Sequence, residues 1–140
     1  MIAYLDSSVL LREVLGQPNK LKEWSKIENG VASGLVEVEC LRTLDRLRLR
    51  VGLSNQDLAD RREVVYRLMD KLSLVEPVGT VLERAAQPLP TPLGTLDAIH
   101  LSTAMLWREM RGEDLVMATH DQALAMAARA SGLRVIGVDT

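Results

Sequence analysis

The chain opens with Ile2-Ala3-Tyr4-Leu5-Asp6-Ser7-Ser8: a short, largely apolar run, then a carboxylate, then two hydroxyls. A run of that length without sustained polarity reads as a buried strand. Ser7 and Ser8 are N-cap candidates, so the chain should turn tightly into a helix carrying Leu10, Leu11, Val14 and Leu15 and stopping at Gly16. A strand that delivers a carboxylate to the start of a helix is the repeating unit of a parallel sheet.

The same alternation recurs downstream. Leu21, Trp24 and Ile27 predict a second amphipathic helix closed by Asn29-Gly30, followed by a brief strand at Val31-Ala32-Ser33. Ser33 is the expected cap of a long helix carrying Leu35, Val38, Leu41, Leu44 and Leu47 and ending near Gly52. Ser54 with Asp57 resembles a capping box that opens a helix with Leu58, Val65, Leu68 and Leu72 on one face. A small strand at Leu74-Val75 and a short helix over residues 80–87 come next. Pro88, Pro90, Pro92 and Gly94 then make a loop that no helix interior tolerates. Thr95 should cap a helix running to about Arg111. A buried strand over 115–119, an Ala-rich helix over 121–131 stopped by Gly132, and a last strand over 133–138 complete the chain. Strands alternating with helices predict one α/β domain over 1–140, a three-layer α/β/α arrangement around a parallel sheet of four or five strands.

Composition narrows the function classes. With 17 Lys and Arg against 19 Asp and Glu the formal net charge is −2, so bulk positive charge does not draw this chain to phosphate. Aromatic residues are 3% of the chain and Phe is absent, which leaves little to build a base-stacking platform. The single cysteine, Cys40, has no partner for an internal disulfide and reads as a small buried hydrophobe. With no membrane-length apolar run and no signal pattern at the N-terminus, a cytoplasmic location is expected.

The position of the carboxylates is more informative than their number. Ligands of open parallel sheets bind beyond the carboxyl ends of the strands. Asp6 ends the first strand, Asp121 follows the 115–119 strand by two residues, and Asp97 lies in the first turn of a helix, where the macrodipole favours an anion. Glu39 sits among Leu35, Val36 and Val38 on a helix that has to pack. Taken singly, each has a plain structural reading: Asp6 as a cap, Asp97 and Asp121 as first-turn acids, Glu39 as an ion-pair partner of Arg42. Together at one sheet end, four acids would repel one another unless their pKa values rise or a divalent cation binds. All-oxygen ligation suits Mg²⁺ or Mn²⁺, and phosphoryl transfer to water is the foremost chemistry of such an ion.

At these residues the sequence resembles the PIN-domain family of metal-dependent nucleases, and within it the VapC-type toxins. Thr95-Leu96-Asp97-Ala98-Ile99-His100-Leu101-Ser102-Thr103-Ala104 is similar to the family's third acidic motif, and Tyr4-Leu5-Asp6-Ser7-Ser8 to the first. Val38-Glu39-Cys40-Leu41-Arg42 resembles the helical Glu motif, and Ala118-Thr119-His120-Asp121 the strand-end fourth motif. Ala123 and its neighbours supply no further acid, a departure from some members. The resemblance implies an endoribonuclease using Mg²⁺ or Mn²⁺, a homodimer, and a small antitoxin whose basic tail enters the acidic pocket. It implies Asp6, Asp97 and Asp121 as metal ligands, with Glu39 completing the catalytic acids and Ser8 supporting them. A housekeeping RNA-maturation nuclease and a non-catalytic binding module are the alternatives. Haloacid-dehalogenase-like phosphatases are set aside because Ser8 stands where their second Asp belongs.

Around the acids, Thr119 is read either as a hydroxyl that supports the site or as simple packing at a strand end. Arg42, Arg46 and Arg50 recur at i+4 spacing on the Glu39 helix and form either an RNA-backbone track or a solvated face balanced by Asp45. His100 reads as a hydrogen-bonded core histidine, and His120 is given no catalytic role.

Overall fold

The computed structural model describes residues 1–139. In chain order the elements are β1 (Ile2–Leu5), α1 (Ser7–Leu15), β2 (Asn29–Ser33), α2 (Leu35–Val51), α3 (Asn55–Lys71), β3 (Ser73–Val75), α4 (Gly79–Ala85), α5 (Thr95–Arg111), β4 (Val116–Ala118), α6 (Gln122–Ala130) and β5 (Arg134–Ile136). The strands form one five-stranded sheet in the order β3-β2-β1-β4-β5, and every pairing is parallel. Strand order reverses between β1 and β4. That seam is where an open parallel sheet leaves a crevice beyond its carboxyl edge.

Period-two alternation along the strands divides the core into two layers. Ala3 and Leu5 of β1, Ala32 and Ala118 pack against Val9 and Val14 of α1, Val36 and Leu44 of α2, and Val65 and Met69 of α3. Tyr4 of β1, Val31 and Met117 face the other way, onto Leu101 and Trp107 of α5 and Leu124 and Ala128 of α6. The result is the three-layer α/β/α arrangement expected from the alternation. No helix of the described residues is long and apolar enough to cross a membrane.

One difference from the expected elements is at α5, which Gly94 rather than Thr95 caps; the others lie between β1 and α2. The segment carrying Leu21, Trp24 and Ile27 makes only a single 3₁₀ turn over Trp24–Lys26, and Ile27 is already extended. Asn29-Gly30, read as a helix stop, is the beginning of β2. Gly30 is there for space: a Cβ would lie 2.8 Å from Leu72 Cδ2 and 3.0 Å from Leu5 Cδ1. The α1 cap is Asp6 rather than either serine, and Gly34 rather than Ser33 caps α2. Ser33 Oγ still accepts from the Leu35 backbone N–H at 3.1 Å.

Candidate active site

Asp6 stands at the end of β1 in extended backbone (φ −85°, ψ 172°) and caps α1. Its Oδ1 accepts from the backbone N–H of Ser8 (3.1 Å) and Val9 (3.4 Å) and from the Ser8 hydroxyl (2.6 Å). Its Oδ2 accepts from the Thr119 hydroxyl at 2.7 Å. The residue is 3% exposed. Burial raises the carboxyl above the ordinary Asp range, and the Ser8 and Thr119 hydroxyls pull it partly back. Asp6 is therefore a helix cap and a buried site acid at once.

The fourth motif is tied to the first by the same hydroxyls. Thr119 is fully buried, and its Oγ1 accepts from the Asp121 backbone N–H at 3.0 Å while donating to Asp6. Ser8 Oγ accepts from the His120 backbone N–H at 2.9 Å. Asp121 in turn caps α6, its Oδ1 accepting from Leu124 N–H at 2.9 Å. The hydroxyls at Ser8 and Thr119 thus link the ends of β1 and β4 across the seam. His120 turns its Nδ1 to the Gly137 carbonyl at 2.7 Å.

Asp97, in the first turn of α5, is only partly buried. Burial raises its carboxyl, and the negative charges of Asp121 and Asp6 raise it further, with His100 opposing and Glu39 adding a smaller push. The acids of β1, α2 and the β4–α6 turn thus all act on the Asp97 carboxyl of α5. Glu39 is turned inward: Oε1 lies 2.6 Å from His100 Nε2, and Oε2 accepts from the Ser7 hydroxyl at 3.2 Å. Its expected partner Arg42 goes instead to Asp45, at 3.4 Å. His100 is 1% exposed, and its Nδ1 lies 2.7 Å from Tyr4 Oη.

Arg42, Arg46 and Arg50 all lie on exposed positions of α2. Arg46 donates to Thr43 Oγ1 at 3.1 Å. Among the described residues none of the three hydrogen-bonds to the four acids, so the structure leaves these cations on the exposed surface of α2.

The donor set suits a hard divalent cation: only oxygen ligands are offered, and mutual repulsion among the acids is what such a charge relieves. Among the described residues, no three His, Cys, Asp or Glu side chains yet converge closely enough to hold one ion. Asp6 is held by its own donors, whereas among the described residues no hydrogen bond ties the Asp97 carboxylate and only one ties that of Asp121. Ser7, Tyr4 and the Glu39-facing role of His100 are the parts of the site that motif reading missed.

This architecture, with acids at the carboxyl edge of a five-stranded parallel sheet, defines a class as well as a site. Residues 3–130 match the PIN domain, and the chain belongs to the PIN-domain family. Within that family it groups with the VapC proteins. It is 33% identical over 137 residues to Ribonuclease VapC46 of Mycobacterium tuberculosis, covering 95% of each chain. A toxin–antitoxin complex from Klebsiella pneumoniae superposes with a TM-score of 0.65 at 17% identity, over 99% of this chain and 96% of that one. FitAcB from Neisseria gonorrhoeae gives 0.68 at 15% identity, over 97% and 96%.

Proposed function

We propose that this chain is the toxin of a toxin–antitoxin pair, an endoribonuclease that hydrolyses RNA phosphodiester bonds with Mg²⁺ or Mn²⁺. The observation that carries the reading is the gathering of Asp6, Glu39, Asp97 and Asp121 at one sheet end, where burial and then the charges of the other three raise the Asp97 carboxyl. The likeness to a protein named a ribonuclease over 95% of the chain supports it from a separate direction.

Asp6, Asp97 and Asp121 are the residues that would hold the ion, with Glu39 beside them. A divalent cation there supplies positive charge for the scissile phosphate and eases deprotonation of the attacking water. In the reaction the water oxygen bonds to phosphorus in line as the bond from phosphorus to the leaving ribose oxygen breaks. The water gives up a proton to a carboxylate of the cluster, and the leaving oxygen takes one up. Ser8 and Thr119 keep Asp6 in place, so little reorganisation is needed during the reaction. Arg42, Arg46 and Arg50 are assigned the flanking phosphates of the RNA backbone.

The partner is a small antitoxin whose basic tail complements the acidic pocket, and the working form is a cytoplasmic homodimer. The test is to sequence RNA ends after brief expression of the wild type beside Asp97→Asn. A recurrent cut present only with the wild type is expected and would name the target. Identical ends from both would overturn the reading, and indiscriminate ends from the wild type alone would favour a housekeeping nuclease.

A further inference from the structure

Three side chains from three different elements form a continuous chain at the edge of the site, buried at Tyr4 and His100 and part-buried at Glu39. Tyr4 from β1 is fully buried and His100 from α5 is 1% exposed. Tyr4 Oη and His100 Nδ1, separated by 96 positions in sequence, lie 2.7 Å apart. His100 Nε2 and Glu39 Oε1 on α2, separated by 61 positions, lie 2.6 Å apart. The two aromatic rings meet edge-on, with centroids 5.9 Å apart and planes at 66°. Because α2 and α5 belong to opposite helical layers, the chain crosses from one layer to the other over the sheet.

We propose that Tyr4 and His100 are positioning residues: the phenol fixes the tautomer of His100, and His100 fixes the orientation of Glu39. The inference rests on the reading of Glu39 as part of the nuclease centre. Its direction follows from counting protons. A phenol has a single O–H, and a buried O–H requires an acceptor. The Glu39 carboxylate 2.6 Å from Nε2 can only accept, which assigns the ring proton to Nε2 and leaves Nδ1 to accept from the phenol 2.7 Å away. Nε2–H then points at the Glu39 carboxylate, and each donor meets an acceptor.

Glu39 is thereby held at both oxygens, by His100 on Oε1 and by Ser7 on Oε2 at 3.2 Å. A glutamate has three rotatable bonds that would otherwise let the carboxylate swing through the site. Neither Tyr4 nor His100 needs to touch RNA; both act through the acid they orient. Outer partners of this kind are worth roughly 10–100-fold in activity or metal affinity.

The test combines a spectroscopic and a kinetic arm. Nitrogen-15 NMR of the metal-free wild type should show His100 as the Nε2–H tautomer, and Tyr4→Phe should release it into a mixture. In RNA cleavage, Tyr4→Phe should lower kcat roughly 10–100-fold while KM stays within about twofold. His100→Gln, which restores an N–H donor toward Glu39, should retain more activity than His100→Leu. An Nδ1–H or doubly protonated ring in the wild type, an unchanged kcat in Tyr4→Phe, or equal activity of the Gln and Leu variants would overturn the proposal. If circular dichroism shows that Tyr4→Phe does not fold, the wild-type tautomer and the Gln–Leu comparison decide. A wild type that cuts no RNA would instead refute the nuclease reading, and the spectra would still decide the hydrogen-bonded chain.

Discussion

Thr119 and Asp6 meet across the seam between β4 and β1, the threonine hydroxyl donating to the buried carboxylate at 2.7 Å. Because the same hydroxyl accepts from Asp121 N–H, one side chain links the first and fourth acids. Thr119→Val keeps the shape but leaves Asp6 Oδ2 and the Asp121 amide without that partner. Urea denaturation should report a loss of roughly 1–3 kcal/mol, and RNA cleavage should slow roughly 10–100-fold. Thr119→Ser should retain most of both. A valine variant as active as the wild type would remove Thr119 from the site.

Raised carboxyls make a prediction about pH. Burial lifts both Asp6 and Asp97 above the ordinary carboxylate range, so the folded state holds these protons more tightly than the unfolded chain. Their contribution to stability is present below the unfolded values and is lost as pH rises through the raised folded values. Metal-free Asp97→Asn should therefore melt higher than the wild type near neutral pH, by roughly 2–4 °C. The difference should shrink as pH falls through the raised folded value of the wild-type carboxyl. Scanning calorimetry across that range checks it, and a difference that does not change with pH would contradict it.

How far the sequence led depended on the range of the interaction. Asp6, Asp97 and Asp121 were legible because each sits at a strand end or in a helix first turn, where local chemistry announces it. The α/β alternation was legible for the same reason. The segment over Leu21, Trp24 and Ile27 misled because its apolar spacing suits a helix, while the chain there has only to cross from α1 to the edge of β2. Asn29-Gly30 carried a turn signature, yet Gly30 is needed where Leu5 and Leu72 close on the backbone. His100 was recognisable as a core histidine, but its hydrogen bonds join residues 61 and 96 positions away, which no local pattern encodes.

Gly137 offers a test of the same seam from the backbone side. Its φ is +101°, and a Cβ there would collide with the Thr119 carbonyl oxygen. Gly137→Ala should destabilise the fold by about 1–3 kcal/mol, and by displacing Thr119 it should also slow cleavage. A variant with normal stability and activity would show that the end of β5 does not support the site.

The arginines of α2 are tested by salt. In the Asp97→Asn background, which should bind RNA without cutting it, replacing Arg42, Arg46 and Arg50 by Ala should weaken binding. The slope of log affinity against log salt should flatten by roughly 0.7 for each phosphate that is no longer neutralised. Fluorescence anisotropy over a salt series measures both. An unchanged slope would return these residues to the solvated surface.

A metal-dependent RNA-cleaving centre built from the four acids is tested by cleavage with the purified protein as Mg²⁺ or Mn²⁺ is titrated. RNA cutting by the wild type should rise with metal and stop with chelator, and Asp97→Asn should show none at equal concentration and intact fold. Cutting that persists in chelator, or that Asp97→Asn performs as well as the wild type, would contradict it.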